Sequence, residues 1–393
     1  MRWESQRVEP PEQPGSPELP LGLAREPLGS AGEPVGSAHG QGGSAREPVG
    51  SDREQGGRAT ARAGLRLPDP VPIEAGTEDA YAIEIRARSL INRVPGSSEV
   101  PFRWTINPYR GCGHACRYCF ARNTHTYLDL DAGHDFDSKV VVKVNAGELV
   151  RRELAGPKWT GEPIAMGTNT DPYQRAEGRY RLMREILAAL RDRANPFSVL
   201  TKGTLILRDL DLISDAARRT DVSIAVSIGS VDERLWRDVE PGTPSPLRRL
   251  EVVRRFADSG VGCSVLMAPI LPGLSDSPEQ VDETVAALAE AGASSVTPLM
   301  LHLRSGAREW YREWLQREHP ELVPLYARLY RNGAYLPKSY QREVLDLVAE
   351  AKQRHGLTER ERRFREVAAE QDSAEESDHG RLPGGPQAQL SLL

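Results

Sequence analysis

Residues 107–120 read NPYRGCGHACRYCF, and this stretch decides how the rest of the chain is read. Its three cysteines, Cys112, Cys116 and Cys119, form a C-x3-C-x2-C pattern directly after a β-prone run at residues 102–109. A cubane iron-sulfur cluster needs four iron ligands, and three clustered thiolates supply three of them. One iron is then open to an outside ligand. The competing reading makes His114 the fourth ligand of a structural zinc site, although zinc ligands usually come as two separated pairs. Tyr118 and Phe120 flank the third cysteine, where rings can shield a cluster from water or simply fill core.

Outward from this stretch, further short β-rich runs at 163–168, 198–203, 222–230, 262–270 and 294–302 follow. Between them lie segments with apolar residues at helical spacing, among them RLMREILAALRDR, SPLRRLEVVRRFADSG and SPEQVDETVAALAEAG. Asp209, Ser245 and Ser277 stand where such helices begin, and Gly260 and Gly292 where two of them end. Six strands alternating with helices predict parallel βαβ units, arranged as a partial or full barrel or an open sheet. Ligands gather at the C-terminal strand ends of either arrangement. Polar residues fall there: Thr168, Asn169 and Asp171 after the second strand, Thr201 and Lys202 after the third, Ser227 in the fourth, His302 and Arg304 after the sixth.

Composition bounds the remaining choices. The chain has 393 residues, 51 basic against 56 acidic, a net charge of -5 and 39% hydrophobic residues. A global basic field for nucleic acid is absent, which leaves only a local patch. No apolar run is long enough for a membrane span, and the first residues form no signal peptide, so a cytoplasmic protein is expected. With only four cysteines, three of them within eight residues, a metal site in a reducing compartment is favoured over a disulfide framework. Residues 1–75 repeat REPLGS-like units too polar to bury a core and read as a disordered tail. The expected organisation is then a core domain over 76–302, a helical extension over 303–357 and a second disordered tail over 358–393.

From about residue 80 to 350 the chain resembles the branch of the radical S-adenosylmethionine (SAM) superfamily related to spore photoproduct lyase. The resemblance rests on YRGCGHACRYCF, GTNTDPYQ, TKG, RDLDLI, a serine ending the next strand, and APILPGLSD. It implies an α/β fold, a partial (β/α)6 barrel of the radical SAM type with a helical C-terminal extension. It also implies a 4Fe-4S cluster on Cys112, Cys116 and Cys119, SAM as the second cofactor, and an electron donor such as flavodoxin or ferredoxin. By the same resemblance Tyr118 lies against SAM, and Gly167 and Thr168 occupy the turn that faces its amine. Lys202 and Ser227 match polar SAM contacts, and Arg249 is a partner for the SAM carboxylate or part of a structural salt bridge.

One departure matters. Where the lyase is similar in carrying a hydrogen-donating cysteine near the end of the second strand, this chain has Thr168, Asn169 and Thr170. The remaining thiol, Cys263, begins a predicted strand and reads as a buried apolar residue. Repair by the lyase's own mechanism is therefore not expected. A nucleic-acid base is the substrate favoured, against a protein or small-molecule substrate, or a non-catalytic iron-sulfur protein. Two features motivate that choice. Trp310, Tyr311, Trp314, Tyr326, Tyr330, Tyr335 and Tyr340 interleave with arginines, as base stacking would need or as packing would give. The chain also closes on Gln389, Leu390, Ser391, Leu392 and Leu393, which resembles the peptides that dock on the bacterial sliding clamp.

Overall fold

Strands form where short apolar runs meet turn residues, and the computed structural model, which describes residues 70–361 apart from 74 and 96–99, shows eleven of them. They are β1 (Val71–Pro72), β2 (Tyr81–Ile85), β3 (Ile91–Arg93), β4 (Trp104–Ile106), β5 (Tyr109–Arg110), β6 (Lys139–Lys143), β7 (Ile164–Met166), β8 (Phe197–Thr201), β9 (Val222–Ser227), β10 (Cys263–Ile270) and β11 (Ser295–Met300). The main sheet has the order β11-β10-β9-β8-β7-β4-β3. From β4 to β11 every pairing is parallel, and only β3 runs antiparallel, on the outer side of β4. All six predicted strands are present in chain order, and the first and last do not pair. This is the partial (β/α)6 barrel.

Helices close the crossovers. In chain order they are α1 (His134–Ser138), α2 (Ala146–Leu154), α3 (Ala176–Tyr180), α4 (Leu182–Asp192), α5 (Leu210–Ala217), α6 (Glu233–Val239), α7 (Pro246–Asp258), α8 (Pro278–Glu290), α9 (Ala307–Glu318), α10 (Val323–Leu329) and α11 (Lys338–Arg354). In α4, Met183, Ile186, Leu187 and Leu190 recur at the 3-1-3 spacing of one helical face, and all four are buried in the core. Ser245 and Ser277 cap α7 and α8 as expected, each followed by proline in the first turn, and Ser277 forms a full capping box with Gln280. Asp209 stands at the N-cap of α5, but its carboxylate serves Tyr173 and the Arg184 and Arg208 guanidinium groups instead. After β11 the chain is helical, and α11 packs on α8 and β11.

Two features depart from the sequence reading. The expected first strand, 102–109, is cut at Pro108, which has no N–H to give a ladder. Its tail becomes β5 and joins a second sheet of order β1-β2-β6-β5. That sheet was not anticipated, because β1 and β5 are two residues each and KVVVK in β6 is too short a run to show a period. Val71–Pro72 already pairs with Tyr81–Ala82, inside the range that composition gave to the tail. At the other end Glu361 accepts from the Val296 N–H at 2.9 Å. Residues 1–69, and 362–393 with the clamp-like peptide Gln389–Leu393, lie outside the described residues. Among the described residues no helix is long and apolar enough to cross a membrane.

Gly167, just past β7, shows how tightly the strand ends are packed. Its φ is +93°, and a Cβ there would sit 1.9 Å from the Leu200 carbonyl oxygen in β8. Backbone cannot step aside as a side chain can, so only glycine fits. Gly167→Ala should therefore destabilise the protein by at least the ~1–3 kcal/mol typical of a forced backbone conformation. A urea unfolding midpoint unchanged from wild type would refute this.

Candidate functional site

The three cysteines stand on one loop between β5 and a 3-10 segment, Phe120–Leu128, on the side where the parallel strands end. Gly111, at φ +83°, opens the loop. A Cβ there would lie 2.7 Å from the His125 ring and 3.0 Å from the Lys139 carbonyl. Ala115 takes the same left-handed region at φ +52°. The Cys112 N–H then donates to Phe136 O at 3.0 Å, and the Gly242 N–H donates to His114 O at 3.0 Å. So the loop is tied both to α1 and to the segment after α6.

A second set of bonds comes from GTNTDPYQ after β7. Thr170 donates to Gly111 O at 2.7 Å, while Gln174 donates to the same oxygen at 3.1 Å and accepts from the Gly113 N–H at 2.9 Å. Asp171 accepts from Thr201 and from the Lys202 N–H, both at 2.6 Å, and lies 3.4 Å from His114 Nδ1. Burial works against the His114 imidazolium, but the Asp171 carboxylate and the Cys112 sulfur together outweigh it and raise the pKa to about 10. His114 is thus a brace on the loop, which is not the arrangement a fourth zinc ligand needs. From behind, buried Arg122 grips Asp137 at 3.0 Å and Cys116 O at 2.8 Å, with its guanidinium 4.6 Å from the Trp310 ring centroid.

The donor set fits an iron-sulfur cluster. All three thiols are free of disulfides, and Cys112 and Cys116 are 7% and 8% exposed. Burial pushes the Cys116 thiol well up and the Cys119 thiol to about 11, so the protein alone disfavours thiolates here. A bound cation reverses that preference. Among the described residues no three His, Cys, Asp or Glu side chains converge as the ligands of a single ion do. A cubane asks for no such convergence, because its irons take separate corners.

Beside the loop, Glu240 gathers three of the side chains read from the sequence, and two of those reach the fourth, Ser227. Its carboxylate accepts from the Tyr118 hydroxyl and from Arg249, and lies 3.6 Å from Lys202 Nζ. Lys202 donates to Ser227 Oγ at 2.5 Å, and Arg249 donates to Ser227 O at 2.9 Å. Burial alone would raise Glu240, but Arg249 and Lys202 hold it down at about 2. Arg249 is 1% exposed, and its Nε is buried without an acceptor. One donor of this network is therefore left over for a ligand, while the rest of the guanidinium is engaged in a buried ion pair. Gly167 and Thr168 sit apart from this group, on the neighbouring strand end. Thr168 lies 3.5 Å from the Asn107 side chain, which follows β4.

Sequence reading missed Glu240. It directly follows α6, at the start of the aperiodic stretch EPGTPS, 122 residues from Tyr118, and only the fold brings the two together. No local signal marks it, since eight acidic residues lie between Lys202 and Arg249. Phe120 does not shield the loop, being 52% exposed, whereas Tyr118 is largely covered. Tyr311, Trp314, Tyr326 and Tyr330 are buried in the core, the packing alternative for that aromatic cluster. Cys263 is a buried thiol at the start of β10, as expected.

Comparison with known proteins agrees with this geometry. The family model of the radical SAM superfamily matches residues 106–285, from β4 into α8. An uncharacterised protein of Mycobacterium tuberculosis (strain ATCC 25618 / H37Rv) is 52% identical over 266 residues, which is 68% of this chain and 78% of that one. An uncharacterised protein of Methanocaldococcus jannaschii is 31% identical over 204 residues, 51% of this chain and 72% of that one. Among solved structures, spore photoproduct lyase complexed with dinucleoside spore photoproduct shares the fold with a TM-score of 0.52. It is 17% identical, and the match covers 70% of this chain and 79% of that one. With a three-cysteine loop set at the C-terminal ends of six parallel strands, this chain belongs to the radical SAM superfamily, and its cofactors are a 4Fe-4S cluster and SAM.

Proposed function

We propose that this protein reductively cleaves SAM at a 4Fe-4S cluster held by Cys112, Cys116 and Cys119, and uses the radical on a nucleic-acid base. Held by the three cysteines, such a cluster would supply the electron that splits the SAM sulfonium bond to methionine and a 5'-deoxyadenosyl radical. The observation that carries the reading is the convergence of Tyr118, Lys202 and Arg249 on Glu240 beside the cysteine loop, with Ser227 bonded to both Lys202 and Arg249.

The chain's own groups do the rest. Asp171, Thr170 and Gln174 fix the loop whose three cysteines would hold the cluster. The Lys202 ammonium and the spare Arg249 N–H provide cationic donors for a carboxylate such as that of SAM. Glu240 holds both in place and prevents their charges from repelling one another. An external reductant of the flavodoxin or ferredoxin type supplies the electron. For the substrate, support comes from a shared fold with a structure that is complexed with a dinucleoside lesion, and from basic surface after β11. No thiol stands at the end of β7, so the product hydrogen is not donated as in a cysteine-dependent lyase.

The test is anaerobic reconstitution with iron and sulfide, reduction by dithionite, and product analysis. Formation of 5'-deoxyadenosine and methionine from SAM is expected. A fully loaded, reduced protein that leaves SAM intact would refute the reading.

A further inference from the structure

The chain that leaves β11 borders a groove of about 530 Å3, whose lining includes Arg328, Arg331, Tyr335, Lys338, Tyr340 and Glu343. That volume falls within the roughly 300–1,000 Å3 of small-ligand sites, enough for a nucleotide or two and too small for a duplex. Three observations give it a chemistry. Arg328, Arg331 and Lys338 are exposed, and none has a carboxylate within ion-pair distance among the described residues. In a chain with a net charge of -5, three free cations on one groove are a local exception.

Tyr335 is the second observation. It is 53% exposed, and it is positioned by the tilted His302 ring at a centroid distance of 4.9 Å and by Arg304, which donates to its hydroxyl at 3.3 Å. A half-exposed aromatic ring held in place by its neighbours can serve as a stacking platform. Thirdly, Lys338 and Ser339 open the 17-residue helix α11, which has neither a side-chain cap nor an acidic residue in its first turn. The positive end of the helix adds to the three cations.

The groove is joined to the strand ends that carry the candidate site. Leu303 N–H donates to Ala334 O at 2.9 Å, and Tyr340 donates to Asp276 in the loop after β10 at 2.5 Å. We infer that this groove binds the single-stranded segment flanking the reacting base, with phosphates on Arg328, Arg331 and Lys338 and one base stacked on Tyr335. The inference rests on the nucleic-acid reading above and names the surface that serves it.

The test uses the full-length reconstituted protein and a fluorescein-labelled dT12 probe followed by anisotropy. The triple variant Arg328→Ala/Arg331→Ala/Lys338→Ala should bind at least tenfold more weakly, and its salt slope should drop by about 2, from ~0.7 per lost phosphate contact. Tyr335→Leu should lose about fivefold or more, the low end of base–aromatic stacking. Inorganic phosphate at millimolar concentration should not displace the probe. Wild-type affinity and slope in the triple variant would overturn the inference. Displacement by phosphate together with an unaffected Tyr335→Leu would overturn it too, since that is a plain anion site. Formation of 5'-deoxyadenosine, measured on the same proteins, separates failure of the groove from failure of the radical reading.

Discussion

Cys112→Ala, Cys116→Ala and Cys119→Ala should each leave the anaerobically reconstituted protein without its broad thiolate-to-iron absorption and without measurable cleavage of SAM. The effect is expected to be all-or-none rather than graded. Each cysteine would hold one corner of a cluster that already lacks a fourth protein ligand, so losing a second leaves two iron atoms without protein anchors. The loop has no substitute to offer. His114 is engaged with Asp171, and Cys263 is buried at the start of β10, at the far end of its strand. Cys263→Ala is the control: it should keep cluster and cleavage, with a modest loss of stability. Iron and sulfide content with retained absorption in any one of the three loop variants would show that the assignment of ligands is wrong.

Glu240→Ala should have the next largest consequence, and it should be seen first in stability. Glu240 is 5% exposed and Arg249 1% exposed, so removing the carboxylate strands a buried guanidinium beside the Lys202 ammonium. Breaking one side of a buried pair costs about 3–5 kcal/mol. Glu240→Gln keeps the shape and part of the hydrogen bonding and should cost less. The double variant Glu240→Ala/Arg249→Met removes both charges and should recover part of the loss, which a simple cavity would not do. Urea unfolding of the reconstituted protein under anaerobic conditions reads all three. A Glu240→Ala midpoint shifted by less than about 1 kcal/mol would contradict the view of Glu240 as the centre of this network. Affinity for SAM should also weaken, since Tyr118 and Lys202 lose their common anchor.

The barrel was legible because its signals are periodic. Strands such as SVLTKG and VSIAVSIGS are short and β-branched, α4, α7 and α8 repeat apolar residues at helical spacing, and Ser245 and Ser277 cap the last two. The cysteine loop was legible for a different reason: three thiols within eight residues have few structural explanations. What stayed hidden was long-range. Glu240 has no local pattern and gains its meaning from Tyr118, Lys202 and Arg249, which the fold delivers from three different crossovers. The small sheet was hidden by brevity, since two-residue strands carry no alternation. For the aromatic residues after β11, sequence alone could not divide base-stacking rings from packing rings. Burial separates them, with Tyr311 at 0% exposure in the core and Tyr335 at 53% on the groove.

The most direct test of the central claim is electron paramagnetic resonance of the reduced, air-protected protein with and without SAM. The account predicts the spectrum of a reduced 4Fe-4S cluster whose g-values shift when SAM is added, because SAM reaches the one iron that no cysteine holds. A spectrum indifferent to SAM, or a protein that holds zinc in the cysteine loop and gives no such spectrum, would contradict it.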